Sequence, residues 1–196
     1  MLTAITRDDI MDMADYAKVR KERRRNITKL KRDRRVALGP DATLYFESYD
    51  TMWHQIHEML YIERGGEEQI IDELAAYNPL IPNGRELVAT MMFEIDEPER
   101  RERFLASLGG VEEKVCLSLG GELIRAEAEV DVDRTSADGK ASSVHFLHFP
   151  FSDEDVALFR DPSVKVILAI EHEKYPHMTL LSETVRVALQ VDFSDK

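Results

Sequence analysis

The sequence holds one cysteine, Cys116. No disulfide can form within the chain, and its own thiolates cannot hold an iron–sulfur cluster, which needs about four. Long apolar runs are also missing. The stretch Val166–Ile170 is typical of those present, far short of the roughly 20 residues that cross a bilayer. The opening residues MLTAITRDD lack the apolar core of a secretory signal. No serine or cysteine sits in a nucleophile-elbow pattern. The glycine pairs lack the spacing of a phosphate loop or dinucleotide fingerprint, so no nucleotide cofactor is expected. These absences place the chain in a reducing cytoplasm, away from membranes.

Positive charge is scarce overall and concentrated in one place. The net charge is −12 over 196 residues. Most of such a surface repels backbone phosphates, which argues against general nucleic-acid affinity. Yet Lys18–Arg35 reads KVRKERRRNITKLKRDRR, with eleven basic residues against Glu22 and Asp33, a net of +9. The remaining residues hold 15 basic and 36 acidic groups. Arginine outnumbers lysine in the run, seven to four, which suits bidentate contact with carboxylate or phosphate. Few aromatics interleave with it for base stacking.

The run keeps an apolar stripe at Val19, Ile27 and Leu30, continuing Ile10, Met13 and Ala17. This spacing predicts a long basic helix, or two with a bend, ending near Asp33. Thr6 and Asp9 form a capping-box pattern at its start. Strands are expected over 34–38 and 43–48, around Gly39-Pro40-Asp41. Helices follow over 51–64, capped by Asp50, and 67–77; Pro79 and Pro82 then forbid helix. A buried strand over 86–95 precedes a short helix capped by Asp96. Gly120-Gly121 joins a strand over 115–119 to one reaching Val132, on which Ile124, Ala126, Ala128, Val130 and Val132 alternate with charged residues. A polar loop over 134–143 leads to an aromatic strand over 144–151. A short helix opened by Ser152 and Asp155 follows, then an apolar strand over 164–170 and a closing helix over 182–192. The class is α+β, one domain over residues 1–196, with a mainly antiparallel sheet flanked by helices and residues 1–35 packed on it.

Several phrases together, LTAITRDDIMDMADYAKVR, RRVALGP, QIHEML and AYNPLIP, resemble a bacterial family known as domain of unknown function 3501. The likeness extends over nearly the whole chain. It carries no activity to transfer. It implies a genomic setting beside rubrerythrin-like di-iron proteins and iron–sulfur oxidoreductases, hence redox or oxidative-stress work as an accessory protein.

Two histidine groups carry chemistry on paper. His54, His57, Glu58 and Tyr61 share a helical face, and an imidazole pair with a carboxylate can bind zinc or iron. Tyr61 stands where a zincin motif needs its second histidine. The plainer reading is a solvated or packed helix face. His172 and His177, in a segment read as a polar turn around Pro176, complete such a site only if the fold brings them to the helix. His145 and His148 are expected on opposite faces of their strand. Cys116 reads as a small buried hydrophobe.

Three functions remain open. One is a binding or accessory protein that self-associates or docks a redox partner, through Arg20, Arg23, Arg24, Lys31, Arg34, Arg35 and the loop over 77–84. Another is a metal-binding protein or metalloenzyme on His54, His57, Glu58, His172 and His177. The third is RNA binding through the basic helix. A further reading of the basic run is that it packs across the chain's own acidic surface, in the monomer or a symmetric dimer.

Overall fold

The basic run is helical, as its apolar stripe predicts. In the computed structural model, which describes residues 2–129 and 140–195, helix α1 spans Met13–Arg32. Strands β1 (Arg35–Leu38) and β2 (Ala42–Phe46) form a hairpin. Helices α2 (Tyr49–Glu63) and α3 (Gly66–Tyr77) follow, then strand β3 (Glu86–Phe93) and helix α4 (Pro98–Ala106). Strands β4 (Val115–Leu119), β5 (Glu122–Arg125), β6 (Glu127–Ala128) and β7 (Val144–Pro150) come next. Helix α5 (Asp153–Arg160), strands β8 (Val166–His172) and β9 (Tyr175–Leu180) and helix α6 (Glu183–Leu189) close the chain.

The strands build two antiparallel sheets, ordered β1-β2-β3-β7-β6 and β5-β4-β8-β9. Alternation along the strands sorts side chains into layers. Leu44, Phe46, Leu87, Met91, Leu147 and Phe149 leave one face of the first sheet and meet Leu117, Leu119, Val166 and Leu168 of the second. The opposite face carries Val88 and Phe146 against Met52, Ile56, Leu60 and Leu80 of the helical side. The order is therefore helices α1–α3, first sheet, second sheet: an α+β arrangement.

The β4–β5 hairpin turns on Gly120 and Gly121, at φ +63° and +119°. A two-residue turn of this hand needs positive φ at both positions, which glycine adopts without a steric penalty. The strand after it was expected to run on to Val132. Instead it pairs in the second sheet up to Arg125, breaks at Ala126, and pairs in the first sheet from Glu127. Val130, Val132 and most of the polar loop lie outside the described residues.

Other local expectations change for identifiable reasons. The Thr6–Asp9 capping box closes a single 3-10 turn, Arg7–Asp9, and α1 starts later, capped by the Asp12 carboxylate. Ser48, not Asp50, caps α2: its hydroxyl accepts from the Thr51 amide while the Thr51 hydroxyl accepts from the Ser48 amide. Glu97, not Asp96, caps α4. The segment around Pro176 is strand β9 rather than a polar turn. It is an edge strand, where a proline costs no ladder hydrogen bond if its nitrogen faces outward.

Buried polar ties hold these layers in register. The Tyr175 hydroxyl donates to the Leu38 carbonyl (2.8 Å) and accepts from the Asp41 and Ala42 amides (2.9 and 3.0 Å), fastening the β1–β2 turn to β9. Arg34, 4% exposed, pairs with the buried Asp192 and donates to the carbonyls of Phe46, Glu47 and Ala188. The Asn78 side chain clamps the Ile5 amide and carbonyl (2.7 and 2.9 Å), so the N-terminal segment is bound down ahead of α1.

Candidate functional site

Helices α1 and α2 pack along a seam that is polar for much of its length. Met13, Tyr16 and Arg20 fall three or four residues apart and so share one face of α1. That face meets Trp53, His54, His57, Glu58 and Tyr61 of α2. Tyr16 is fully buried. Its hydroxyl donates to Glu58 Oε1 at 2.8 Å and lies 3.3 Å from His54 Nδ1. A phenol has one proton, so His54 donates from Nδ1 into this bond. Arg20 grips Glu58 with a two-point fork, Nε to Oε1 and Nη2 to Oε2, both 2.8 Å. The guanidinium also lies over the Tyr61 ring, 4.5 Å from its centre. This bidentate ion pair, with the Tyr16 hydrogen bond, pulls the Glu58 carboxyl down to about 2. Burial and the neighbouring carboxylate push the Tyr16 phenol up.

His57 is fully buried, and both its ring nitrogens are used. Nε2 accepts the Met11 amide at 3.0 Å, so the proton is on Nδ1, which donates to the Trp53 carbonyl at 2.7 Å. The ring stacks on the Trp53 indole with centres 3.6 Å apart. Burial lowers its pKa to about 4, so the ring stays neutral near pH 7.

The sequence-predicted metal residues therefore do not assemble. Glu58 is committed to Arg20 and Tyr16, and His57 could bind an ion only by releasing a backbone amide or carbonyl. His172 and His177 belong to the second sheet, on the far side of the first sheet from α2. There, His172 Nδ1 accepts the Lys174 amide, and the His177 ring packs on Tyr175 with centres 4.1 Å apart. Among the described residues no group of three or more His, Cys, Asp or Glu side chains could hold a metal ion. His145 and His148 do face opposite ways: His145 is fully buried, and His148 sits between Glu86 (3.0 Å) and Glu129 (3.2 Å). Cys116 is buried and free, and burial raises its pKa.

The sequence-predicted docking residues divide into two groups. Arg34 is interior and unavailable to a partner, because its guanidinium closes the junction between the β1–β2 hairpin and the C-terminal turn. Leu80, Ile81 and Pro82 of the 77–84 loop are likewise buried. Arg23, Arg24 and Arg35 are exposed, and Arg20 and Lys31 are half-buried. Lys21, Arg25 and Lys29 join the exposed set. Arg20, Lys21, Arg24, Arg25 and Lys29 line a cleft of about 670 Å³ floored by Ala17, Thr28 and Tyr61. Arg23 lies over the Trp53 ring, 4.8 Å from its centre. Among the described residues, Lys21, Arg23, Arg24, Arg25 and Lys29 form no ion pair. Lys18, Arg20, Arg32 and Arg34 of the run do pair with carboxylates of the chain itself, so packing on its own acidic groups accounts for part of the run and not for these five.

Tyr16 is the member of this seam that the sequence does not announce. Its only signal is its spacing from Met13 and Arg20, which also fits an ordinary core tyrosine.

A family model described as "Protein of unknown function (DUF3501)" matches residues 4–193. The chain is also similar to a solved structure from Burkholderia pseudomallei K96243, titled a novel protein of unknown function. The two share 34% identity over 97% of this chain and 100% of that one, with a TM-score of 0.89. No curated protein matches. Among the described residues no helix is long and apolar enough to cross a membrane.

Proposed function

The chain belongs to the DUF3501 family, and we propose that it is an accessory protein whose α1 face docks a carboxylate-rich patch on a partner protein. One observation carries this reading. Lys21, Arg23, Arg24, Arg25 and Lys29 stand exposed on an ordered helix of a strongly acidic chain, and among the described residues no carboxylate pairs with them. Helical order matters, because a pre-organised row of cations loses less conformational entropy on binding than a mobile tail does. The seam beneath supplies that order: Arg20 and Glu58 anchor one side of the helix, and Tyr16 and His57 fill the space between. The surface fits a protein acid patch better than nucleic acid, since the rest of the chain repels phosphate backbones. We take the partner to be the redox protein, di-iron or iron–sulfur, that the family resemblance implies.

The test measures binding of purified rubrerythrin-like protein or iron–sulfur oxidoreductase to the immobilised chain at about 0.02 M and about 0.5 M salt, where screening differs strongly. The variant R23E/R24E/R25E, checked for an unchanged circular dichroism spectrum, is run beside it. The expected result is a complex at low salt that weakens at least tenfold at high salt and in the variant. A complex indifferent to salt and to charge reversal overturns the docking surface. Selective capture of RNA, or self-association lost in the variant, replaces the redox partner with nucleic acid or a second copy.

A further inference from the structure

Away from the α1 face, the helical layer leaves part of the first sheet uncovered. Cross-strand register sets Tyr45, Thr90 and Phe146 in one row across β2, β3 and β7. Thr43, Met92 and Val144 form the next row. Helix α2 covers Val88 and Phe146, one end of this face. Toward Met92 and Val144 a cavity of about 370 Å³ opens between sheet and helices. That volume is in the range that small-molecule sites occupy. Its walls are largely apolar and aromatic, with Met52 and Leu80 on the helical side and Tyr45, Tyr77 and Phe146 around it.

One group in this wall does not fit an inert gap. Glu47, 5% exposed, follows β2 directly and lines the cavity. Its backbone is fully used: the amide donates to the Val88 carbonyl, and the carbonyl accepts from Arg34. Its Oε1 accepts the Thr90 hydroxyl at 2.7 Å. Its Oε2 is buried and has no hydrogen-bond partner among the described residues. Lys31 also borders the cavity, but no ion pair joins it to Glu47. A buried carboxylate oxygen without a donor costs desolvation energy with nothing to offset it. The combination of one acceptor, an adjacent hydroxyl and aromatic walls is the chemistry that recognises a cation on an apolar body.

We propose that this cavity is a binding site for a small organic amine, whose protonated nitrogen donates to the Glu47 carboxylate while its apolar or aromatic body lies against Met92, Phe146 and Tyr77. The site uses neither Glu58 nor the exposed arginines of the α1 docking face, although Lys31 of α1 borders it.

Isothermal titration calorimetry near pH 7 tests it with three probes of one shape. Phenethylamine carries the charge, 2-phenylethanol is its neutral counterpart, and phenylacetate reverses the sign. Phenethylamine is expected to bind saturably with a Kd of about 1 mM or tighter, given its size. It should bind about tenfold tighter than the alcohol, the margin a charge-assisted hydrogen bond provides, and phenylacetate should not bind. Glu47→Gln should erase the preference for the amine, and Met92→Trp, which fills the cavity and spares Glu47, should abolish both ligands. Equal affinity for amine and alcohol, or a preference that survives Glu47→Gln, overturns the assignment. If Glu47→Gln does not fold, the amine-to-alcohol ratio in the unaltered protein, with Met92→Trp as the blocked control, decides it.

Discussion

The two faces of the first sheet differ in kind. Toward the second sheet the buried side chains are mostly aliphatic and aromatic, with Leu87, Met91, Leu147 and Phe149 against Leu117 and Leu168, all fully buried, and His145 and Tyr175 are the buried polar-tipped rings on that side. Toward the helices its covering layer is threaded with polar groups, among them His57, Glu58, Tyr16 and Glu47. A dry interior is dense and intolerant of change. A polar layer is costly to bury and is kept in exact partnership only at its anchors. The difference locates stability between the sheets and puts the features able to bind something on the helical side.

The largest expected effect breaks the dry side. Leu117→Ala should destabilise the fold by about 3–5 kcal/mol, the lost burial plus the cavity left behind. Chemical denaturation measures it, and a loss near 1 kcal/mol would mean the two sheets are loosely packed.

A smaller and pH-dependent effect belongs to the helical side. His57 has its pKa lowered from 6.5 to about 4 in the fold, so the unfolded chain takes the proton first. Its contribution to stability is complete above pH 6.5, declines as pH falls toward 4, and is then constant. The decline amounts to about 3 kcal/mol. Glu58, lowered from 4.5 to about 2, adds a further loss as pH falls between those values. His57→Gln should flatten most of the upper segment, leaving the share of His54, whose pKa burial also lowers, together with the lower segment. A variant with the same slope between pH 6.5 and 4 as the parent would assign that slope to another group.

The smallest expected effect sharpens the comparison from outside. Arg24→Glu with Arg25→Glu should change stability by no more than about 0.5 kcal/mol per site, since both side chains are exposed. Thermal melts at low salt check this. A large loss would show that the basic row braces the fold.

Elements with local signals are legible in the sequence. The stripe through Val19, Ile27 and Leu30 shows that the basic run is a helix, and Gly120-Gly121 shows the hairpin. The capping box of Ser152 and Asp155 marks α5, where the serine hydroxyl accepts the Asp155 amide. Strand β9 is hidden because Pro176 reads as a break unless the strand is known to lie at an edge. The crossing at Ala126 is hidden because alternation continues through it unchanged, and only the partners differ. At the candidate sites, the sequence shows which residues are charged but not which are paired. Arg34 and Arg35 are neighbours of one type; one is sealed inside against Asp192 and the other is exposed. Glu47 carries no mark of burial at all, since its environment is made by Val88, Thr90 and Arg34 from other segments.

The pairing of Arg34 with Asp192 joins residues 158 positions apart. As the chain is synthesised, the Arg34 guanidinium, two residues beyond α1, has to wait for residue 192 before this counter-charge exists. The β1–β2 hairpin can form early, but it waits with an open charge at its edge. Closure of that edge is therefore among the late events of synthesis: until residue 192 arrives, the hairpin carries a cation whose carboxylate has not yet been made.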